Sequence, residues 1–290
     1  MKTRTKNSKT PYTLLNRSLS VGLAILMVFF FFPQEKVFSQ DKPIGLSKEK
    51  IQQNTNDIKQ LFNQGRALQI NGKHFEAEKK FKEILQVEPE HFQSHVQLGM
   101  LYKKQERYRD AVVEFKKALT IQPNSLAHKN LGIIYSKLGE NRKAVKEFEA
   151  AIKINPNLEN IHYLLGKILF HNKLENHQRV IEEFKKALKA NPQRWEASFA
   201  LGLVYKSQKL YREAIPFFEE VVALKPDFAD GFYQLGHMYI AVKEGKAAIT
   251  HLLKAEELYK KKGNKQKVNL SNKYLKKLFK KFDFKRSDFN

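Results

Sequence analysis

Residues 99–123 read GMLYKKQERYRDAVVEFKKALTIQP, and the spacing of six of them decides the fold. Gly99, Tyr102, Ala111, Phe115, Ala118 and Pro123 stand at offsets 0, 3, 12, 16, 19 and 24. The pattern predicts two helices with a short turn near Gln105 to Tyr108. A glycine on the first helix and an alanine twelve residues on remove bulk where antiparallel helices cross, and this pairing is expected to bring the two backbones together. Tyr102 and Phe115 are expected to fill the seam. Ala118 leaves room for a neighbouring unit, and Pro123, which has no amide hydrogen, ends the second helix.

The glycine returns at Gly65, Gly99, Gly132, Gly166, Gly202 and Gly236, spaced by 34, 33, 34, 36 and 34 residues. Prolines keep step at Pro89, Pro123, Pro156, Pro192 and Pro226, as do aromatics at Phe81, Phe115, Phe148, Phe184 and Phe218. A period of about 34 residues marks a stacked helical repeat. The recurring Leu-Gly, Tyr, Ala, Phe, Ala and Pro resemble the tetratricopeptide repeat over roughly residues 58–260, in about six units. The resemblance implies an all-α, right-handed helical-repeat solenoid that acts by binding other proteins.

Around this array the chain divides into an export signal (1–39), a polar tether (40–57), and a basic C-terminal capping helix and tail (261–290). Residues 1–17 carry Lys2, Arg4, Lys6, Lys9 and Arg17 without an acid, and an apolar run, Leu19 to Phe32, follows. As a helix that run reaches about 21 Å, short of the ~30 Å hydrocarbon core, so a signal peptide cleaved after Ser39 is favoured over an uncleaved anchor. Either places the repeats on the outer face of a membrane, in the periplasm or its equivalent.

Within the array, repeat four carries two extra residues, expected in the turn Asn172 to Gln178, and Val180 replaces its alanine. Repeat five has Pro216 near the start of its second helix, where a mild bend is expected, and repeat six has Leu252 for the aromatic and Lys260 for the proline. Beyond Gly263, Val268, Leu275, Leu278 and Phe282 fall on one stripe of a helix, with Tyr274 and Phe279 beside it, as a cap over the last repeat requires.

Several chemistries are excluded or disfavoured. The chain has no cysteine, so disulfides, thiolate metal sites and cysteine nucleophiles are absent. No Gly-Lys pair sits in a phosphate-cradling loop. His91 and His95, four residues apart, have the spacing of a metal pair, but His95, His128 and His162 share one repeat position, which points to packing. Neither a cofactor nor catalysis is expected.

The resemblance implies that first helices line a concave groove, at positions three before the glycine, one after it, and four or five after it. Those are Phe62 and Arg66; Val96 and Met100; Lys129 and Ile133; Tyr163, Lys167 and Phe170; Phe199 and Leu203; Tyr233 and His237. Aromatic anchors with scattered cations suit a segment of another protein. The family's carboxylate clamp is not carried over, because Lys129 is followed by Ile133 where the clamp needs asparagine. Net charge is +23, and from Lys254 to Asn290 thirteen basic residues face four acids. That excess makes Lys273, Lys276, Lys277, Lys280 and Lys281 a second candidate surface, for an anionic membrane or cell-wall polymer; nucleic acid is not expected outside the cytoplasm.

Overall fold

The computed structural model describes residues 48–289, so the export signal expected over residues 1–39 lies outside the described residues. Six helical pairs follow one another: α1 (Lys48–Ile70) with α2 (His74–Val87), α3 (Phe92–Lys104) with α4 (Tyr108–Ile121), and α5 (Ser125–Lys137) with α6 (Asn141–Ile154). Next come α7 (Ile161–His171) with α8 (His177–Ala190), α9 (Trp195–Ser207) with α10 (Tyr211–Leu224), and α11 (Ala229–Ala241) with α12 (Gly245–Lys261). A last helix, α13 (Lys265–Phe282), lies against α12, and a short 3₁₀ turn, Arg286–Phe289, ends the described chain. No strand occurs among the described residues.

Each helix packs on its sequence neighbours, and α1, α3, α5, α7 and α9 also touch in succession. The second helices have no comparable succession, so the stack curves with the first helices on the inside. Its core is the repeat pattern made solid. Phe81, Phe115, Phe148, Phe184 and Phe218 are fully buried, as are Ala77, Ala111, Ala144 and Ala214.

The structure corrects the expected glycine-to-alanine crossing. A β-carbon on Gly65, Gly99, Gly132, Gly166 or Gly202 would collide with the phenylalanine sixteen or eighteen residues later, not with the alanine. The glycine is therefore the floor on which the second helix lays its ring. In repeat six Leu252 takes that seat, 2.8 Å from the β-carbon Gly236 lacks.

Helix ends follow from local chemistry. Each second helix that precedes a proline-bearing turn is 14 residues long, whereas α12, where Lys260 replaces the proline, runs for 17. Every turn inside a pair contains one left-handed residue, seven after the glycine: Gly72, Glu106, Gly139, Lys173, Lys209 and Lys243. The next amide closes a six-to-one bond across it, as in Arg107 N–H to Tyr102 C=O at 2.9 Å. In repeat four the same turn is made at Lys173, and the two extra residues are absorbed before α8, within 172–176. Pro216 is accommodated inside α10 on its exposed side.

The second half of the expected tether is helix: α1 starts at Lys48, so repeat one opens with 23 residues in place of the 11 to 13 of later first helices. Nothing in residues 48–57 breaks a helix, since the last glycine before them is Gly45 and the last proline Pro43.

The histidine column is structural. His95, His128 and His162 each hydrogen-bond through Nδ1 to a glutamate of the paired second helix: Glu114 at 2.6 Å, Glu147 at 2.7 Å and Glu183 at 2.6 Å. His95 and His162 also donate from Nε2 to the carbonyls of Pro89 and Pro156, which ties each unit to the loop before it. His91 caps α3 by accepting from the Ser94 amide. Among the described residues no three metal-ligating side chains converge.

Candidate functional site

The inner face is built by the positions just before and after each glycine, because the glycine itself points at the second helix. None of the groove residues expected from the sequence is fully buried: Arg66, Met100 and Lys167 are exposed, and the rest are half-buried. What half-buries the rings is the next unit. Phe62 packs edge-on to His91 at 5.6 Å, and Phe199 to Phe228 at 5.2 Å. The Arg194 guanidinium lies over the Tyr163 ring at 5.1 Å. Each of these three rings thus spans two repeats while staying partly exposed, so the aromatics both knit the wall and present it.

Tyr233 and His237 differ, because α13 stands where a seventh first helix would. The Tyr274 ring lies 4.4 Å from His237 and 6.5 Å from Tyr233, covering the end of the groove. Burial pushes the His237 imidazole down to about 4, with the Lys206 ammonium adding to the effect, and its Nε2 is buried without a partner.

Two cations complete the inner face. Lys103 donates to the Asn130 amide oxygen at 2.5 Å, and Lys206 to the Gln234 amide oxygen at 2.7 Å, each reaching from one repeat to the next. Burial holds both ammonium groups below the ordinary lysine range, and Lys129 adds repulsion at Lys103. They stand four residues after the glycine, the offset at which Phe170 had been singled out; applying it to every repeat would have found them.

Charge is sorted between the two layers. Helices α3, α5 and α7 contain no acid, and α9 and α11 contain one each, Glu196 and Asp230. Their paired second helices, α4, α6, α8, α10 and α12, hold eleven, and in the first pair α1 has Glu49 and Asp57 against three acids in α2. Nine cations of the second helices find carboxylate partners, as Lys117 does with Glu114 and Lys82 with Glu78, while others, such as Lys79 and Lys116, stand exposed without one among the described residues. Among the described residues Arg66, Lys103, Lys129, Lys167 and Lys206 have no ion pair. Between the third and fourth pairs the wall opens into a recess of about 430 Å³, lined by Ile133, Leu164 and Lys167 among others.

The five lysines of the second candidate surface, Lys273, Lys276, Lys277, Lys280 and Lys281, are all exposed on α13. The opposite side of that helix caps the stack as expected, with Leu275 and Leu278 buried and Phe282 against Gly245.

Six stacked helical pairs with a closing helix define a repeat solenoid, and comparison with known proteins names the repeat. Models of the tetratricopeptide repeat match residues 92–125, 132–173 and 173–227. The chain is a tetratricopeptide-repeat protein. No curated relative matches it. Among solved structures, the C-terminal part of a repeat protein from Cytophaga hutchinsonii is 20% identical, with a TM-score of 0.65 over 76% of this chain and 88% of that one. Pseudomonas aeruginosa pilF is 15% identical, with a TM-score of 0.62 over 77% of this chain and 99% of that one. YrrB, described as having an unusual peptide-binding site, is 22% identical, with a TM-score of 0.58 over 67% of this chain and 97% of that one. At these identities the likeness is one of fold.

Proposed function

We propose that the protein is a non-catalytic interaction scaffold whose inner face holds an extended or helical segment of a partner protein, rich in acidic residues and carrying an apolar anchor. The observation that carries this reading is the sorting of charge: inner cations without ion pairs, half-buried at Lys103 and Lys206, beside partly exposed aromatic rings. A carboxylate arriving at Lys103 or Lys206 supplies the counter-charge that the fold withholds, and the preformed wall loses little entropy on binding. The peptide site named for YrrB supports a peptide ligand on this fold.

A display library of short random peptides selected on the purified protein tests this. Recovered peptides are expected to be enriched in Asp and Glu. Their binding should fall at least tenfold when Lys103 and Lys206 become Gln, or when Tyr163 and Phe199 become Ala, with helical content retained. Peptides without acidic enrichment, or binding indifferent to these changes, would overturn the reading.

The scaffold works outside the cytoplasm, in the cell envelope, on the strength of the basic segment and apolar run that open the sequence. Fractionation with N-terminal sequencing tests the location, and an intact Met1 on a cytosolic protein would refute it.

A further inference from the structure

The outer face of α13 carries a feature that neither the cap nor the groove uses. Lys273, Lys276, Lys277, Lys280 and Lys281 follow the i, i+3, i+4, i+7, i+8 pattern, so their side chains stand on one side of the helix, and all five are exposed. They occupy about 12 Å of helix axis at about 1.5 Å per residue. Leu270, 39% exposed, lies on the same side.

A solvated helix face normally mixes signs, and here the acids of α12, Asp230 of α11 and Asp288 of the 3₁₀ turn are already engaged elsewhere. That leaves Asp283, just past the end of α13, as the one exposed acid beside the strip without an ion pair among the described residues. Glu256, with its side chain only 1% exposed, pairs with Lys260 and Arg286; Glu257 pairs with Lys254 and Lys261; Asp230 pairs with Lys267. None of the five face lysines has an ion pair among the described residues. Only the Lys281 ammonium makes a close contact of another kind, over the Phe282 ring at 5.3 Å.

The same ion pairs lock the helix in place. Asp230 accepts from both Tyr259 and Lys267, Arg286 reaches back to Glu256 at 2.5 Å, and Phe282 fills the space over Gly245. The face is therefore a fixed, unneutralised cationic strip at the end of the array.

We propose that this strip is a second binding surface, independent of the groove, that docks the end of the solenoid on an anionic lipid membrane. The strip holds lysines and no arginine, with no fully exposed ring: it has point charges for a lawn of headgroups and lacks the forks and stacking platforms that nucleic acid recognition uses. Leu270 adds one aliphatic contact at the headgroup level. Because the apolar side of α13 is committed to the core, docking is peripheral and electrostatic, without insertion of the helix. Salt must weaken it, since exposed charges are screened beyond about 8 to 10 Å at physiological strength.

Deleting α13 is the wrong test, because it would uncover Ile249 and Leu252. The test is co-sedimentation of the full chain with phosphatidylglycerol and with phosphatidylcholine vesicles, at low and high salt. The apolar run Leu19–Phe32 is common to every sample, so the readout is the anionic-to-neutral binding ratio. That ratio is expected to exceed about tenfold at low salt and to collapse at high salt, in the manner of an exposed-charge contact. It should also be lost when the five lysines become Gln, with the melting temperature unchanged. A control variant with Lys79, Lys116, Lys146, Lys153 and Lys185 changed to Gln removes the same charge from exposed positions on the second helices, and should keep the ratio. Equal loss in the control would show a bulk-charge effect and overturn the proposal, as would a ratio near one. Tighter binding to a duplex DNA fragment than to anionic vesicles would reassign the strip to nucleic acid and equally overturn it.

Discussion

Gly132 and Phe148 are pressed together: a β-carbon on the glycine would stand 2.5 Å from Phe148 Cε1, and the ring is itself buried with no room to retreat. This contact, repeated in each of the first five pairs, sets how closely first and second helices approach. Gly132→Ala gains about 1 kcal/mol in helix propensity but forces the ring outward, with overpacking costs of about 1 to 3 kcal/mol; with the contact as short as it is here the cost lies at the upper end, for a net loss approaching roughly 2 kcal/mol. In urea melts, Phe148→Leu should couple favourably with it, because a flexible leucine can turn away from the new β-carbon where a buried ring cannot. Ala144→Gly should not. An undiminished midpoint for Gly132→Ala, or rescue through Ala144, would return the crossing to the glycine and alanine.

The turn inside each pair stores a small strain that is easily removed. Glu106, Lys173, Lys209 and Lys243 sit at φ between 49° and 66°, in a region where a side chain costs roughly 1 to 2 kcal/mol, and repeats one and three place glycine there. Lys209→Gly and Lys243→Gly should each stabilise the protein by about 0.5 to 1 kcal/mol, after the entropy that glycine adds to the unfolded chain. Gly139→Lys should lose a similar amount. A lower denaturation midpoint for Lys209→Gly would contradict the assignment.

How much of this was legible in the sequence depended on whether a position repeats. The glycine, recurring six times, and the phenylalanine and proline, recurring five times each, mark out the helical pairs, and Lys260 stands where a proline would have ended α12. The left-handed turn residue repeats in place but not in type, being Glu or Lys four times in six, so only the backbone reveals it. Ser47 offers a cap for a helix that begins at Lys48, but a polar stretch without Gly or Pro suits helix and tether equally, so the sequence leaves the length of α1 open. In the candidate site, the offsets pick out first-helix residues that the fold leaves half-buried or exposed, but not what covers the last of them: the placement of Tyr274 over His237 depends on how α13 docks. The pairing of Lys103 with Asn130 joins residues 27 apart, a spacing no local pattern encodes.

The cap is held by a three-part polar pin. Asp230 accepts from Tyr259 at 2.6 Å and from Lys267, linking α11, α12 and α13. Burial alone would raise the carboxyl's pKa, but the hydrogen bonds from Lys267 and Tyr259 outweigh it and hold the group below its usual range. Burial and the same hydrogen bond raise that of Tyr259. Tyr259→Phe should cost about 1 kcal/mol, the usual net worth of a hydrogen bond, and Asp230→Ala more, because it leaves the buried Tyr259 hydroxyl unpaired. A double-mutant cycle between Tyr259 and Asp230 should give a coupling of about 0.5 to 3 kcal/mol. Additive losses would mean that the two side chains do not act together.

His237 should make stability depend on pH through the mildly acidic range. Its imidazole titrates near 6.5 when unfolded and at about 4 in the folded protein, because burial under Tyr233 and Tyr274, with Lys206 nearby, disfavours the cation. Between those values the unfolded chain binds the extra proton, so stability present above about 6.5 is lost as pH falls, and the loss is complete below about 4. His91 and His251, also lowered by burial, act in the same direction, so the His237 share must be read as a difference. Glu78, Asp230 and Glu256 have lowered values and lose their contribution only further into acid, from ordinary values of 4.5, 3.8 and 4.5 downward. Comparing wild type with His237→Phe between pH about 6.5 and about 5 therefore isolates the imidazole, whose equivalents in the other repeats are the apolar Met100, Ile133 and Leu203 and the cationic Arg66 and Lys167. The variant's stability should fall less over that window, as measured by urea denaturation at each pH. Equal slopes would show that His237 accepts its proton in the folded state as readily as in the unfolded one, and that α13 does not seal the end of the groove.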